Sequence, residues 1–372
     1  MNPISGSDLG PEQHGPKVSV IIPAYQSVGY IAQALNSVFR QTFTDFEVIV
    51  VNDGSPETDV LESILEFYSS RIVYMKQENR GPSGARNTGI LQARGKYVAF
   101  LDSDDYWLRE HLENQITLLE SDPSLSLVYA DCILIKDSIP DGTAFSIEPQ
   151  SRPVTLDALL EWCCTPFTSS SVATRDAVIS AGLFDETMRR CEDFDLWVRM
   201  ALLGCRMDYR HAPQVCHRLG NGLSANHLLM KESCRELYEK LRNNPILSAG
   251  QRAIVERMTT RIHLDYQVER VKVSLLAEHY SDALAAAQMA RGLFDSWKLR
   301  TAIIGLRSAP RFSRRSYQLY ERFVEVKNRK RYVQRVKALA LPALTNVVSH
   351  LATPEGSRGV RQAATGRQVG RS

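Results

Sequence analysis

The chain has 372 residues, 44% of them hydrophobic, and a formal net charge of +3, which is apolar material enough for one large or two moderate domains with real cores. No run of about 18 apolar residues occurs, so no membrane-spanning helix is expected; residues 1–16 are polar and Gly/Pro-rich without a signal-peptide core, so a cytoplasmic location is expected. Seven scattered cysteines without a Cys-x-x-Cys pair argue against structural zinc and a disulfide framework, and read as reduced, mostly buried thiols.

The first 130 residues alternate strand-like and helix-like runs. Val18–Ile22 reads as a strand stopped by Pro23, followed by Ile31, Leu35, Val38 and Phe39 at helical spacing. Glu47–Val51 is a second strand, ended by the turn Asn52-Asp53-Gly54-Ser55, and Leu61, Ile64, Leu65 and Tyr68 form another helical stripe. Strand Ile72–Met75, a helix from about Ser83 to Ala93 and strand Tyr97–Leu101 continue the alternation, which implies a largely parallel sheet covered on both faces. Residues 109–120 read as a helix, Leu127–Ala130 as a strand, Asp137–Pro153 as a loop and Glu192–Leu203 as a helix. Beyond Leu228 the pattern is helical throughout, with an alanine-rich run at 280–290 resembling a helical-hairpin unit.

Charge is distributed unevenly. From Lys298 to Ser372 there are 17 Lys/Arg against Glu321, Glu325 and Glu355, a local +14 that leaves −11 for residues 1–297. A basic tail on an acidic body points to an anionic partner, with an anionic membrane surface favoured over nucleic acid. Ser313–Leu341 mixes Arg/Lys with aromatic and aliphatic residues and reads either as an interfacial helix or as a surface helix. The end from Thr353 is Gly/Arg-rich and expected to be disordered.

The chemistry gathers at predicted strand ends. The strand at 97–101 ends in Asp102-Ser103-Asp104-Asp105, three carboxylates in four positions. Such a cluster is tolerable when solvated or when a cation sits among its members. Pro23-Ala24-Tyr25 and Asp53-Gly54-Ser55 follow the first two strands, and in a parallel sheet these ends share one edge. The order of these motifs, with Asn79-Arg-Gly-Pro-Ser-Gly-Ala-Arg86-Asn87, Gly182-Leu-Phe-Asp185-Glu186 and Cys191-Glu192-Asp193-Phe-Asp195-Leu-Trp197, resembles the family-2 glycosyltransferases of the GT-A fold over roughly residues 17–225.

The resemblance implies an α/β, Rossmann-like, mostly parallel sheet flanked by helices, divided as a flexible 1–16, a GT-A domain at 17–227, a helical region at 228–352 and a tail at 353–372. It implies a metal-dependent, inverting transfer of sugar from a nucleotide-diphospho-sugar, expected to be UDP-linked, to a hydroxyl of a glycan, lipid-linked or protein acceptor. Asp53 matches the residue that binds the uracil imide, and Pro23, Ala24 and Tyr25 match the base pocket. Arg86 suits a diphosphate or a sugar, or else an internal carboxylate. Asp102 and Asp104 match the Asp-x-Asp motif, with Asp104 holding Mn²⁺ or Mg²⁺ and Asp102 at the ribose and metal. Asp105 and His217 are further metal candidates, and Arg218 a phosphate candidate. Asp193 matches the catalytic base, with Glu192 orienting it or touching the acceptor and Asp195 in support. Trp107 and Trp197 read as core residues, with acceptor stacking as the alternative. Nucleotidyl transfer to a sugar phosphate is a rival class, but it needs a Gly-rich loop where Pro23-Ala24-Tyr25 stands. A non-catalytic carbohydrate- or nucleotide-binding protein is a second rival, disfavoured by the acidic residues.

Overall fold

The computed structural model describes residues 15–220 and 226–320. In chain order it contains β1 (Val18–Ala24), α1 (Ile31–Phe39), β2 (Phe46–Asp53), α2 (Thr58–Leu65), β3 (Val73–Gln77), α3 (Gly81–Gln92), β4 (Tyr97–Phe100), β5 (Tyr106–Trp107) and α4 (His111–Ser121). Next come β6 (Leu125–Lys136), β7 (Ile139–Thr143), α5 (Ala144–Ile147), α6 (Leu156–Leu160), β8 (Val172–Thr174), α7 (Arg175–Ser180), α8 (Glu192–Leu202) and β9 (Arg206–Arg218). Four helices follow: α9 (His227–Arg242), α10 (Ala249–Leu276), α11 (Tyr280–Leu293) and α12 (Trp297–Ser308).

The strands form one mixed sheet in the order β3-β2-β1-β4-β8-β6-β9-β5, with β7 paired to β6. The β3-β2-β1-β4 half is parallel. Its inner strands β1, β2 and β4 are nearly continuous runs of buried Val, Ile, Ala and Phe, as a sheet covered on both faces requires, whereas edge strand β3 alternates exposed and half-buried residues. Helix α3 lies so close to the sheet that a Cβ on Gly89 would come within 2.6 Å of Ile21 Cγ2. Beyond β4 the direction changes, since β8 runs antiparallel to both β4 and β6, and β9 is parallel to β6. The sheet is therefore less uniformly parallel than the strand–helix alternation implies, because these later strands are not joined by regular βαβ crossovers.

The segment at 137–153, expected to be a loop, is largely ordered as a hairpin and a short helix. Asp137 and Ser138 both have positive φ, 50° and 64°, the backbone of a two-residue hairpin turn whose twist suits the flanking strands. It joins β6 to β7, and Thr143 then caps α5 in a capping box with Ser146. Helices α9 to α12 bear out the helical reading of that part of the chain. Ala283, Ala286, Ala287 and Ala290 of α11 are buried, and small side chains there let α11 approach α10 closely. The predicted helix at 313–341 falls largely outside the described residues, as do the tails and residues 221–225.

Candidate active site

Register sets the site. Ala24 at the end of β1 pairs with Asn52 near the end of β2, Asp53 pairs with Gln77, and Phe100 pairs with Ile21. The carboxyl ends of β1, β2 and β4 therefore share one edge, and Pro23–Tyr25, Asp53 and Asp102–Asp105 follow onto it.

At β2, Asn52 performs the turn-capping task. Its Oδ1 accepts the Ser55 N–H at 2.9 Å, and Gly54 turns with φ +64°, where a Cβ would press to 2.9 Å from the Asn79 nitrogen. Asp53 is relieved of that task. It is only 2% exposed, and its Oδ1 accepts from Gln77 Nε2 at 2.7 Å and from the Arg80 N–H at 2.9 Å. These bonds aim the carboxylate while its Oδ2 takes none among the described residues. The β1–α1 loop is held to the same turn by the Gln26 N–H donating to Ser55 Oγ at 3.1 Å. Tyr25, next to Gln26 in that loop, is 46% exposed, and Ala24 is buried.

Arg86 is buried on α3. Its guanidinium donates to Asp102 Oδ1 at 2.6 Å and to Glu192 Oε1 at 2.8 Å, with Phe184 under it at 5.3 Å. Both terminal nitrogens thus serve internal carboxylates, the alternative left open by the sequence. The bridge joins the acidic cluster after β4 to the start of α8. Asn87, next in sequence, exchanges hydrogen bonds with the Phe184 backbone at 2.9 Å each way. Arg80 grips Glu186 through two bonds of 3.0 and 2.6 Å. The 79–87 and 182–186 motifs are therefore one interlocked unit.

The three carboxylates separate by environment. Asp105 is fully buried and saturated: Oδ2 takes Ser169 Oγ at 2.6 Å and faces His217 Nδ1 at 2.9 Å, and Oδ1 accepts the Arg218 N–H at 2.9 Å. This bonding leaves Asp105 to anchor the end of β9 rather than to bind a metal. His217, with Nδ1 on Asp105, is a positioned imidazole: burial opposes its charge, but Asp105 and then the other two carboxylates prevail and lift its pKa to about 9. Asp104 is the contrast. Burial first, then Asp105 and Asp102, push its pKa up to about 6, and no side chain among the described residues donates to it. An acidic group held beside two others without a donor fits a cation. No group of three or more His, Cys, Asp or Glu able to hold a metal exists among the described residues. A divalent ion here fits if one or two carboxylates hold it and substrate oxygens complete its shell.

Glu192 and Asp193 open α8 after Cys191, whose φ is +59°. Glu192 is buried against Arg86; burial and neighbouring Asp193 raise its pKa while Arg86 opposes them. Asp193 is half-buried and accepts from Thr168 Oγ1 at 2.6 Å and from the Phe194 N–H at 2.7 Å. Asp195 is turned inward to Arg199 at 2.7 Å and Lys240 at 2.8 Å, which makes it the supporting carboxylate. Trp107 and Trp197 are core residues whose indole N–H groups bond to Ser169 O at 2.7 Å and Pro166 O at 3.2 Å, so neither ring is free to stack on a sugar.

The residues matched by the profile of "Glycosyl transferase family 2" are 19–144. The E. coli protein "UDP-Glc:alpha-D-GlcNAc-diphosphoundecaprenol beta-1,3-glucosyltransferase WfaP" is 32% identical over 213 residues, 56% of this chain and 80% of that protein. The chain belongs to glycosyl transferase family 2. An uncharacterized glycosyltransferase of Rickettsia bellii is 34% identical over 187 residues, 50% of this chain but 26% of that protein, and a Rickettsia prowazekii relative is covered to 59%; the chain thus spans less than two thirds of these relatives. Among solved structures, S. aureus TarS 1-349 in complex with UDP-GlcNAc has a TM-score of 0.57 at 22% identity, covering 82% of this chain and 92% of that one. The mannosyltransferase PcManGT from Pyrobaculum calidifontis, in complex with GDP-Man and Mn²⁺, scores 0.53 at 19% identity over 85% and 88% of the two chains. The likeness to both is one of fold, the GT-A fold.

One group of site residues escaped the sequence reading. The turn at Thr168–Ser170 lies beside β4 because β8 pairs antiparallel with it, and the Phe100 N–H donates to Ser171 O at 3.2 Å. Thr168 holds Asp193, while Ser169 accepts the Asp102 N–H at 3.1 Å and donates to Asp105. Four consecutive hydroxyl residues after Pro166-Phe167 were the visible signal, but hydroxyl runs read as loops until strand pairing places them. Arg218 likewise gained a role from topology. It bonds to the Asp104 carbonyl and to Gln33, with Tyr30 and Tyr106 rings 4.9 and 5.2 Å from its guanidinium carbon.

Proposed function

We propose that this transferase moves a sugar, by single displacement with inversion, from a UDP-sugar to a hydroxyl of a glycan acceptor, with Mn²⁺ or Mg²⁺ at the diphosphate. The observation that carries the reading is the division of labour among the carboxylates on one sheet edge. Asp53 is aimed by Gln77 and Arg80 yet keeps one oxygen for a heterocycle N–H, and exposed Tyr25, on the same sheet edge, serves the base with Pro23 and Ala24. Asp104 lacks a donor and Asp102 is held on one side only, by Arg86; these two would hold the metal, which when bound neutralises charge growing on the leaving diphosphate. Asp105 keeps the end of β9 in place, and His217 with it.

Asp193 is the base. Its half-buried carboxylate is steered by Thr168, and a hydroxyl brought within hydrogen-bond reach can give up its proton there as it attacks the anomeric carbon. A carboxylate is a weak base for a hydroxyl proton, so positioning rather than basicity supplies most of the rate. Glu192, locked to Arg86, orients that helix end instead of touching the acceptor.

The UDP and glycan choices are supported by WfaP, whose name gives UDP-Glc and a GlcNAc-diphosphoundecaprenol acceptor, and by the UDP-GlcNAc complex of TarS. The metal is supported by the Mn²⁺ of PcManGT. A lipid-linked acceptor at an anionic membrane surface is supported by the +14 balance of residues 298–372; no helix among the described residues is long and apolar enough to cross a membrane. The domain division stays as read from the sequence, with the transferase domain at 17–227 followed by the helical region. A screen of nucleotide-sugars for thermal stabilisation with Mn²⁺ tests the reading: UDP-sugars raise the unfolding midpoint and GDP-sugars do not. Equal stabilisation by all nucleotides sinks the Asp53 assignment.

A further inference from the structure

Cys191 and Cys234 come together from separate elements. Cys191 is the N-cap of α8 and Cys234 lies midway along α9. Their sulfurs are 3.4 Å apart, and Met230 Sδ is 3.5 Å from Cys191 Sγ. Both thiols are free. A disulfide needs about 2.05 Å between sulfurs, so closing one requires the two side chains to approach by little more than an ångström. Neither α8 nor α9 is otherwise loosely held, because Lys240 of α9 already ties Asp195 of α8 and Asp185 together at 2.8 Å each.

We propose that Cys191 and Cys234 form a redox-active dithiol whose oxidation fastens the first residue before Glu192-Asp193 to α9 and slows transfer. The effect on transfer rests on Asp193 as the base; the dithiol chemistry does not. The hydrogen bond from Cys191, with help from Lys231, lowers the pKa of Cys234 below the ordinary thiol value despite burial, so of the two thiols Cys234 ionises and reacts first. The pair is nearly enclosed, with Cys234 buried and Cys191 half-buried, which selects a small oxidant such as hydrogen peroxide over a bulky disulfide. The Cys234 thiolate attacks one peroxide oxygen, the O–O bond breaks, and hydroxide leaves to give the sulfenic acid. Cys191 sulfur then attacks the Cys234 sulfur, the S–O bond breaks, and the Cys191 proton leaves with the oxygen as water. Two thiols and one peroxide give one disulfide and two waters.

Cys191 occupies a left-handed backbone position, φ +59°, that a residue with a side chain rarely adopts. Its displacement passes directly into the adjoining peptide of Glu192. An ångström of misplacement of a catalytic group costs on the order of 100-fold in rate, whereas the Asp53 end of the cleft is not touched.

The test treats the full-length protein with stoichiometric hydrogen peroxide and maps it by mass spectrometry after trypsin. The expected result is a crosslink between peptides 191–199 and 232–235, lost on adding dithiothreitol and absent in Cys234→Ser. Persistence of both as free thiols while other cysteines oxidise would overturn the pair. On the donor selected by the thermal screen, the crosslinked protein should release nucleotide at least tenfold more slowly with Mn²⁺, with UDP affinity within twofold of the reduced protein. Cys234→Ser should keep its rate through the same treatment. Unchanged turnover in fully crosslinked protein overturns the switch. If instead Asp193→Asn leaves the reduced enzyme's rate intact, the base assignment fails, while the crosslink map still decides the dithiol.

Discussion

Arg86 and Glu192 are 106 positions apart in sequence and 2.8 Å apart in space, and the same guanidinium holds Asp102 at 2.6 Å. One buried cation thereby fixes the distance between the proposed metal end of the cleft and the helix that carries the proposed base. Without it the buried Glu192 would lose its cationic partner, and burial would penalise its charge. The bridge explains why a site with so many acids folds at all.

Arg86→Met tests this brace. Removing one partner from a buried ion pair leaves uncompensated charge, which costs about 3–5 kcal/mol. Urea unfolding should show that loss. Arg86→Lys should recover only part of it, because an ammonium cannot reach both carboxylates as a planar fork does. Wild-type stability in Arg86→Met would show the bridge to be incidental.

Gly89→Val tests the packing of α3 on the sheet. A Cβ at that position meets Ile21 Cγ2 at 2.6 Å, and overpacking of this kind costs about 1–3 kcal/mol. The double variant with Ile21→Ala should recover much of the loss, because the added volume is then accommodated. Equal stability of Gly89→Val and the wild type would contradict the close approach.

The Lys240 bridge gives a pH dependence. Burial acts to raise the Asp185 pKa, but hydrogen bonds from Lys240 and Thr187 outweigh it and hold it down at about 2. A folded-state pKa below the unfolded value near 3.9 gives stability that is present above about pH 4 and lost as pH falls toward 2. Lys240→Met should therefore be less stable than wild type at pH 6, and the gap should narrow between pH 4 and 2. A gap that is constant with pH would dismiss the ion pair as its source.

Asp193→Asn should lower donor turnover by two or more orders of magnitude while leaving UDP affinity within twofold, because only the proton acceptor is removed. A parallel drop in UDP affinity would instead make Asp193 part of the donor site. Thr168→Val should give a smaller loss in rate, since it removes one steering bond and leaves the carboxylate.

The parallel half of the sheet was legible because β1, β2 and β4 are short apolar runs with turn or acidic residues at their ends, although β1 runs on through Pro23, expected to stop it, to Ala24, and a strand end is where polar chemistry becomes tolerable. The placement of Asp53 and Asp104 on one sheet edge was legible for the same reason. What sequence could not supply was pairing across long separations. Nothing local says that β8 turns antiparallel, so the Thr168–Ser171 hydroxyls were missed. Nothing local says that β9 pairs with β5 at Tyr106 and Cys216, so Asp105 kept a metal candidacy that its bonds to His217 and Arg218 remove. Arg86 was read as a diphosphate or internal-carboxylate partner, and its bonds to Asp102 after β4 and Glu192 on α8 join segments that composition does not bring together. The Asp137-Ser138 turn went unread because neither residue is glycine, although both adopt positive φ.

The most direct measurement is calorimetric titration of UDP into the full-length protein with Mn²⁺ and with EDTA, for the wild type and Asp104→Asn. The wild type should bind UDP at least tenfold more tightly with Mn²⁺, and Asp104→Asn should lose that gain while keeping its affinity in EDTA. Identical UDP affinity with and without the metal in the wild type, or an undiminished gain in Asp104→Asn, would contradict the assignment of Asp104 to a diphosphate-bound cation.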